Sequence, residues 1–308
     1  MDLPLSTLQT IRTVAERRSF TAAAAVLGYT QSAVSRQIAA AERELGVTLF
    51  ERAPRGVRLT RAGGLLLRQI VIALDALDQA ERMLTDQPRH VRRVRVGAVS
   101  AAGTALLPRS IAALRQTEPD LEISTREGTT PALVRSVRAG TLDVALITSR
   151  PPFRSPDQEH PPLKQHTVID TALALAVPSA SRHAGPEPVT LESLEGESWI
   201  ASRSGEDEPQ LGVWPGLPGR PTVRHWTRDW ATKLGLVAQG AGITTVPADF
   251  LPTVPPGVTL TRIDGVPAEI RRVSLTHSRD LDPALVAPLV RATREAAATL
   301  VTEHREWT

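Results

Sequence analysis

The chain reads as two architectures in series. A mainly α-helical winged helix-turn-helix is joined by one long helix to an α/β body of two lobes. Three observations predict this. The stretch Phe20–Arg36, FTAAAAVLGYTQSAVSR, is written as two short helices around a tight turn. One long helical pattern follows, roughly Arg61–Gln87. From Arg92 onward, short apolar runs alternate with helical patterns, which implies a mostly parallel sheet covered by helices. A length of 308 residues suits two or three domains.

Ser6 followed by Gln9 reads as a capping box opening a first helix, with Leu8, Ile11 and Ala15 on one face. Thr21 is placed to N-cap a second helix, Ala22–Leu27, and Gly28 to close it in the left-handed conformation. Thr30 then N-caps a third helix. Its Val34, Ile38, Ala41 and Leu45 recur at steps of four, three and four and face the core. Gln31, Ser32, Ser35 and Arg36 share the opposite face. They are an amide, two hydroxyls and a guanidinium, the side chains that read base edges and phosphates. A solvated face on any surface hairpin is polar too, but this one has no apolar residue to bury. Gly46 ends the helix, and Leu49–Arg52 with Gly56–Leu59 form a short ribbon around Pro54-Arg55-Gly56. Val57 and Leu59 point inward and Arg58 outward. A basic ribbon after a helix-turn-helix is a wing.

Thr60 caps the long helix. Leu67, Ile70, Leu74, Leu77 and Leu84 fit a heptad seam interrupted by Glu81 and widened by Leu66, Val71 and Ala73. Such a helix packs either on its own domain or against a second chain. With only the small wing before it, a dimerisation seam is the expectation. Pro88 stops it. Strands are expected at Val94–Val99, Leu121–Arg126, Val144–Thr148, Ala172–Val177, Trp199–Ser202, Gly242–Val246, Val258–Ile263 and Arg272–His277. Helices are expected at Thr104–Thr117, Pro131–Ala139, Asp229–Gln239 and Pro283–Glu303. After a proline-rich loop, Pro151–Pro162, the run Lys164–Val177 crosses into a second α/β unit, and Glu206–Pro221 reads as loop. The division expected is 1–60 (head), 61–88 (linker helix) and 89–308 (body), with lobe I about 92–165 and 270–308 and lobe II about 166–269.

Charge is distributed unevenly. Met1–Arg68 carries ten arginines against five acids, a net of +5, while the remaining residues hold 26 basic and 28 acidic groups, a net of −2. The excess sits at one end, as expected if only that end touches a polyanion. The absence of cysteine excludes disulfides, thiolate metal sites and a catalytic thiol. No run approaches about 20 apolar residues and no export signal is visible, so a cytoplasmic chain is expected. Gly240-Ala241-Gly242 follows a helix and lacks a third glycine, so it is not a dinucleotide fingerprint. The seven histidines are scattered without metal-ligand spacing, and there is no Gly-x-Ser-x-Gly elbow. No metal, cofactor or catalytic site is expected.

Several ordered motifs carry a resemblance. They are Ser19-Phe20-Thr21 with Ala23-Ala24, Thr30-Gln31-Ser32-Ala33-Val34-Ser35, Glu44-Leu45-Gly46-Val47-Thr48-Leu49-Phe50-Glu51-Arg52, and Val57-Arg58-Leu59-Thr60-Arg61-Ala62-Gly63. Weaker signatures follow at Leu107-Pro108, Glu127-Gly128, Gly140–Leu146 and Gly240–Ile243. Together they resemble the LysR-type transcriptional regulators over essentially the whole chain. Two positions depart from the pattern: Ala41 where leucine is usual, and Gly63-Gly64 where one glycine is usual.

The resemblance implies that Gln31, Ser32, Ser35 and Arg36 face the DNA major groove, with Thr30 at a phosphate and Arg52 and Arg55 on backbone or minor groove. It implies a periplasmic-binding-like body holding a small-molecule effector between its lobes. The positions carried over are Ser100, Thr129, Thr130, Ser149 and Ser202, with Thr227 and Asp229 at a second-lobe helix start. Hydroxyls and free N–H groups there suit a carboxylate or other anion. Each is equally well read as a helix cap. Trp199, Trp226 and Trp230 line either a pocket or the core. A homodimer or homotetramer on a dyad-symmetric promoter site, in contact with RNA polymerase, is also implied. The rivals are a solute-binding protein, which needs an export signal, and an enzyme with a fused DNA-binding head, which needs a perturbed acid–base pair in the cleft.

Overall fold

The computed structural model describes residues 3–53, 56–85, 92–155, 157, 162–202, 211–217, 219–247 and 254–303, apart from the side chains of 75, 78–85 and 303. Helix α1 (Leu5–Arg17) starts from Pro4 with no side-chain cap. The capping box expected at Ser6 is therefore not formed: Ser6 lies inside the first turn, and its carbonyl accepts the Thr10 hydroxyl at 2.8 Å. Helix α2 (Phe20–Leu27) is capped by Ser19, whose Oγ accepts from Ala22 N at 3.2 Å, two residues earlier than Thr21. Gly28 closes it at φ 70°. Helix α3 (Gln31–Leu45) begins where Thr30 Oγ1 accepts from Ala33 N at 3.2 Å and ends at Gly46, φ 67°. Ile11, Val14, Ala23, Val34, Ile38 and Ala41 fill the space between the three helices. Burying each large aliphatic contributes roughly 1.5–3 kcal/mol.

The wing pairs β1 (Phe50–Ala53) with β2 (Gly56–Leu59) antiparallel, Phe50 opposite Leu59. Helix α4 (Arg61–Thr85) is capped by Thr60 Oγ1, which accepts from Gly63 N at 3.0 Å. Three of the five expected seam positions are taken up inside the chain itself. Leu67, Ile70 and Leu74 are at most 3% exposed, buried within this same chain. Ile70 and Leu74 complete the core of the head, and Leu67 with Val71 packs on Ala139 of the body. A 3.6-residue repeat marks a buried face without saying what buries it. Among the described side chains of α4, the large apolar ones left exposed are Leu65, Ile72 and Leu77. The side chain of Leu84 lies outside the described residues.

In lobe I, β3 (Arg92–Ala98) runs parallel to β4 (Leu121–Glu127) and β5 (Val144–Ser149). Helices α5 (Ser100–Thr117) and α6 (Thr130–Arg138) make the crossovers and cover opposite faces of the sheet. Two strands extend between lobes: β6 (Lys164–Pro178) and β11 (Ile270–His277), which pairs antiparallel with both β5 and β6. Strand β6 is thus continuous across the boundary expected at 165/166, and its first half belongs to the lobe I sheet. Lobe II holds β7 (Ser198–Ala201), β8 (Thr222–Trp226), α7 (Trp230–Ala238), β9 (Thr244–Pro247) and β10 (Val258–Thr261). Strand β8 lies just beyond the loop expected to Pro221. Helix α8 (Pro283–Glu303) returns to lobe I and packs beside α5.

Strand direction decides where a cleft opens. Since β11 is antiparallel to both neighbours, β6 runs in the direction of β5 and passes beyond its C-terminal edge, Asp170 and Ser149 both lying opposite Arg272. In lobe II, β9 is antiparallel to β6, and β7 is parallel to β9 through the Trp199–Ile243 bridge. Strands β7 and β8 are parallel to each other. Their C-terminal ends therefore point back at lobe I. Two C-terminal strand edges face one another across β6 and β11, the usual place for ligands in open α/β sheets.

Candidate functional site

On the head, Gln31, Ser32 and Arg36 are exposed and Ser35 half-buried, on the α3 face opposite Val34 and Ile38. Thr30 Oγ1 and Ser32 Oγ lie 3.1 Å apart, and Arg36 Nε donates to Ser32 O at 3.3 Å, laying the guanidinium along the helix. Arg52 is exposed on β1; Arg55 lies outside the described residues. Two positioning groups escaped the sequence reading. Gln37 donates from Nε2 to Thr7 Oγ1 at 3.1 Å, locking α3 to α1, and its Oε1 lies 3.0 Å from Thr10 Oγ1, whose one proton also has Ser6 O at 2.8 Å. Glu42 Oε1 accepts from Leu49 N at 2.7 Å and Phe50 N at 3.1 Å, fixing where the wing begins. Nothing local marks either residue, because both partners belong to other elements.

In lobe I, the register Ala98 opposite both Glu127 and Leu146 brings Ser100, Thr129, Thr130 and Ser149 to one strand edge. Their side chains differ in commitment. Thr129 Oγ1 accepts from Ala132 N at 3.4 Å as the N-cap of α6. Thr130 Oγ1 accepts from Thr148 N at 3.3 Å and donates to Thr148 O at 3.4 Å, tying α6 to β5. Ser100 opens α5, whose N-cap, Val99, offers no side-chain acceptor. At the facing edge, Asp229 Oδ2 accepts from Thr232 N at 2.6 Å as the N-cap of α7. That backbone hydrogen bond holds its carboxyl below the usual range. Ser202, Thr227 and Asp229 are thus together in lobe II, and the first four residues together in lobe I. Counting along β6, about four residues separate the level of Ser149 from that of Ser202, roughly 13 Å of extended chain.

Ser202 is buried, and its Oγ donates to Thr227 O at 3.0 Å while accepting from Lys233 Nζ at 3.2 Å. Lys233 was missed in sequence, although its place on the Trp230–Leu234–Val237 stripe signals burial. Desolvation lowers its pKa to about 8. This is not a nucleophile–base pair: a carbonyl oxygen only accepts, so the Ser202 proton is directed at Thr227 O and not at the amine. Trp199 is core, whereas Trp226 at the end of β8 is exposed. His166 and His277, far apart in sequence, stack with their Nε2 atoms 3.1 Å apart on β6 and β11. Among the described residues no group of three or more His, Cys, Asp or Glu is placed to hold a metal ion.

A winged helix-turn-helix whose polar helix face is free, joined to a two-lobed domain whose C-terminal strand edges face one another, defines a ligand-responsive DNA-binding protein. Residues 5–64 match the bacterial regulatory helix-turn-helix protein, lysR family, and residues 88–298 match the LysR substrate binding domain. The chain belongs to the LysR-type transcriptional regulators, DNA-binding regulators whose activity is modulated by a small-molecule effector. A probable cat1 operon transcriptional activator of Acinetobacter lwoffii is 30% identical over 241 residues, covering 76% of this chain and 77% of that protein. A full-length OxyR variant from Pseudomonas aeruginosa superposes with a TM-score of 0.60 at 23% identity, covering 96% of this chain and 95% of that one. Full-length CbnR complexed with its target DNA gives 0.56 at 23% identity, covering 95% and 99%. At such identities the two structures establish the fold alone.

Proposed function

We propose that this chain binds a dyad-symmetric promoter site as a homo-oligomer, dimer or tetramer, and regulates transcription in response to an anionic effector held between its lobes. The observation that carries the DNA half is the free face of α3: Gln31, Ser32, Ser35 and Arg36 at the N-terminal end of a capped helix that Gln37 locks in place. Gln31 and Arg36 read base edges, Thr30 and the wing arginines Arg52 and Arg55 contact phosphate or minor groove, and the basic excess of the head supplies sequence-independent attraction. The head spans 1–60, the linker helix 61–88 and the regulatory body 89–308. CbnR was solved on its target DNA, which agrees with a DNA-binding head in this fold.

The effector half rests on the facing strand edges. A ligand touching Ser100 or Thr130 on one lobe and the Ser202 edge on the other alters lobe closure, and with it the placement of the heads and the DNA bend. Thr129 and Asp229 act as caps framing that site, and Ser149 borders it. Regulation runs through RNA polymerase, without catalysis, in the cytoplasm; no helix among the described residues is long and apolar enough to cross a membrane. The chain's operator is obtained by selecting DNA from a random pool and footprinting the products. Two half-sites related by a dyad are expected. Recovery of no sequence above nonspecific affinity overturns the reading.

A further inference from the structure

Strands β6 and β11 join the lobes through a narrow neck. Arg272 is the first residue of β11 to lie opposite β5, where it faces Ser149. Before it, among the described residues, Ile270 and Arg271 pair with Ala172 and Thr171 of β6 alone, and β9 joins β6 from Leu173 onward. One step into lobe I the ladder slips: Val273 faces Ile169 and Ser274 faces Thr167, which leaves Val168 as an extra residue. A bulge of this kind interrupts the ladder and raises local twist, so the neck bends most readily there. Arg272 and Asp170 stand directly opposite each other just past the bulge. The guanidinium grips the carboxylate with two hydrogen bonds of 2.7 Å, Nε to Oδ1 and Nη2 to Oδ2, which hold the Asp170 carboxyl below the usual range. A third element closes over the pair: the guanidinium carbon lies 4.0 Å from the centre of the Phe153 ring. Phe153 follows β5 in a tight turn, donating its N–H to Arg150 O at 2.7 Å, and takes φ 54°. A bulky residue in that region is a steric outlier that persists only where its surroundings fix it. The same loop is bolted to lobe I four residues on, where buried Asp157 accepts from Arg138 Nε of α6 at 3.1 Å and from Leu163 N at 2.7 Å.

We propose that Phe153, Arg272 and Asp170 form a clasp on the neck that sets the angle between the lobes, with Phe153 and Arg272 as the positioning residues. A half-exposed ion pair by itself contributes little. What gives this one leverage is that its third member crosses the bend. Phe153 is carried by lobe I, whereas Arg272 and Asp170 stand on the lobe II side of the bulge. A swing of lobe II about the bulge slides the guanidinium off the ring, so the clasp opposes motion in either direction. Arginine suits the place because its planar group stacks on a ring face while holding a carboxylate by two parallel bonds, which an ammonium cannot do. The consequence for regulation rests on the reading that lobe closure carries the effector signal. The clasp itself is a property of the neck and is tested without an effector.

The chain has no cysteine, so a pair of labels can be introduced without background. Glu127→Cys at the end of β4 and Glu187→Cys in lobe II, both exposed, take spin labels in the full-length protein. Dilution with unlabelled chains leaves only distances within one chain. Relative to the otherwise unsubstituted protein, Phe153→Gly and Arg272→Lys are each expected to broaden the interlobe distance distribution or shift its mean. Glycine enters φ 54° freely, so Phe153→Gly removes the ring while keeping the turn. Phe153→Tyr, which keeps a ring face, is expected to match the unsubstituted distribution. Unchanged distances in both Phe153→Gly and Arg272→Lys overturn the clasp. A shift in Phe153→Gly alone also overturns it, because the guanidinium would then play no part, as does a Phe153→Tyr variant that behaves like Phe153→Gly. Distances that change while output from a reporter promoter stays constant uphold the clasp and refute lobe closure as the signal.

Discussion

Glu16 of α1 and Arg126 of β4, 110 positions apart, form an ion pair at 2.8 Å that ties the DNA-binding head to lobe I. Ser136 Oγ of α6 lies 3.4 Å from the same Glu16 oxygen, with Ala132 O the closer acceptor of its proton at 3.0 Å, and Leu67 and Val71 of α4 pack on Ala139. Helix α6 thus has one end at the lobe I strand edge, through Thr129 and Thr130, and the other against the head. On the proposed effector reading, a shift of the first end would displace the surface holding the head. The pair itself is partly exposed and screened, worth up to about 1 kcal/mol. Arg126→Ala is expected to raise hydrogen exchange in α1 and α6 together with little change in global stability. Exchange rising in α6 alone would separate the two elements.

Gln31→Ala and Arg36→Ala should each cost about 1–3 kcal/mol of specific binding with little loss of nonspecific affinity. Arg52→Ala should weaken all sequences alike and flatten the salt dependence, as a phosphate contact does. Titrations of the selected operator and of random DNA at several salt concentrations check the division. Equal losses on both DNAs for all three variants would refute it.

The paired glycines at the start of α4 should respond oppositely. A Cβ on Gly63 would collide with the backbone oxygen of Leu49, whereas one on Gly64 meets nothing within 4 Å. Gly64→Ala is expected to stabilise the protein by up to about 1 kcal/mol, the helical penalty of glycine. Gly63→Ala should destabilise it and disturb the wing, whose first strand it pushes on. Thermal unfolding of both variants decides, and an identical response would show that the close approach does not matter.

The two faces of α4 should separate folding from association. Leu74→Asp places a charge in the core of the head and is expected to unfold it. Leu65→Asp with Ile72→Asp changes only exposed positions, so the fold should persist while self-association weakens. Sedimentation and circular dichroism distinguish these outcomes. A double variant that associates as strongly as wild type would place the dimer contact elsewhere.

Acid should destabilise the stacked histidines. Burial lowers the pKa of His166, helped by Arg294 and Lys164, and burial also lowers that of His277 despite its hydrogen bond to Ser278 O. Below the ordinary value of 6.5 the unfolded chain takes up protons that the folded chain resists. Their contribution to stability is therefore intact above that pH, falls as pH drops through it, and levels off below the lowered folded values. His166→Gln with His277→Gln should flatten the dependence of the unfolding midpoint between about pH 7 and about pH 5. An unchanged slope would mean that other groups set it.

Periodicity and punctuation made most of the fold legible. Gly28 and Gly46 close helices because glycine enters the left-handed region without steric cost, and Thr30 caps α3 because its hydroxyl satisfies an orphan N–H. Those signals are local, so residues a few positions apart contain them. The motifs at Thr30–Ser35 and Val57–Gly63 carried the family for the same reason. What tertiary structure alone decided is everything that depends on which surface meets which. Leu67, Ile70 and Leu74 form an apolar stripe that suits a partner chain or the chain's own core equally well, and packing chose the core. The hydroxyls at the strand edges divide into caps and uncommitted groups only once their neighbours are placed. His166 and His277 are brought together by the register of β6 and β11, and Lys233 with Ser202 by the packing of α7 against the end of β7. Burial, and the pKa it shifts, belongs to the folded assembly of elements and has no counterpart in residue spacing.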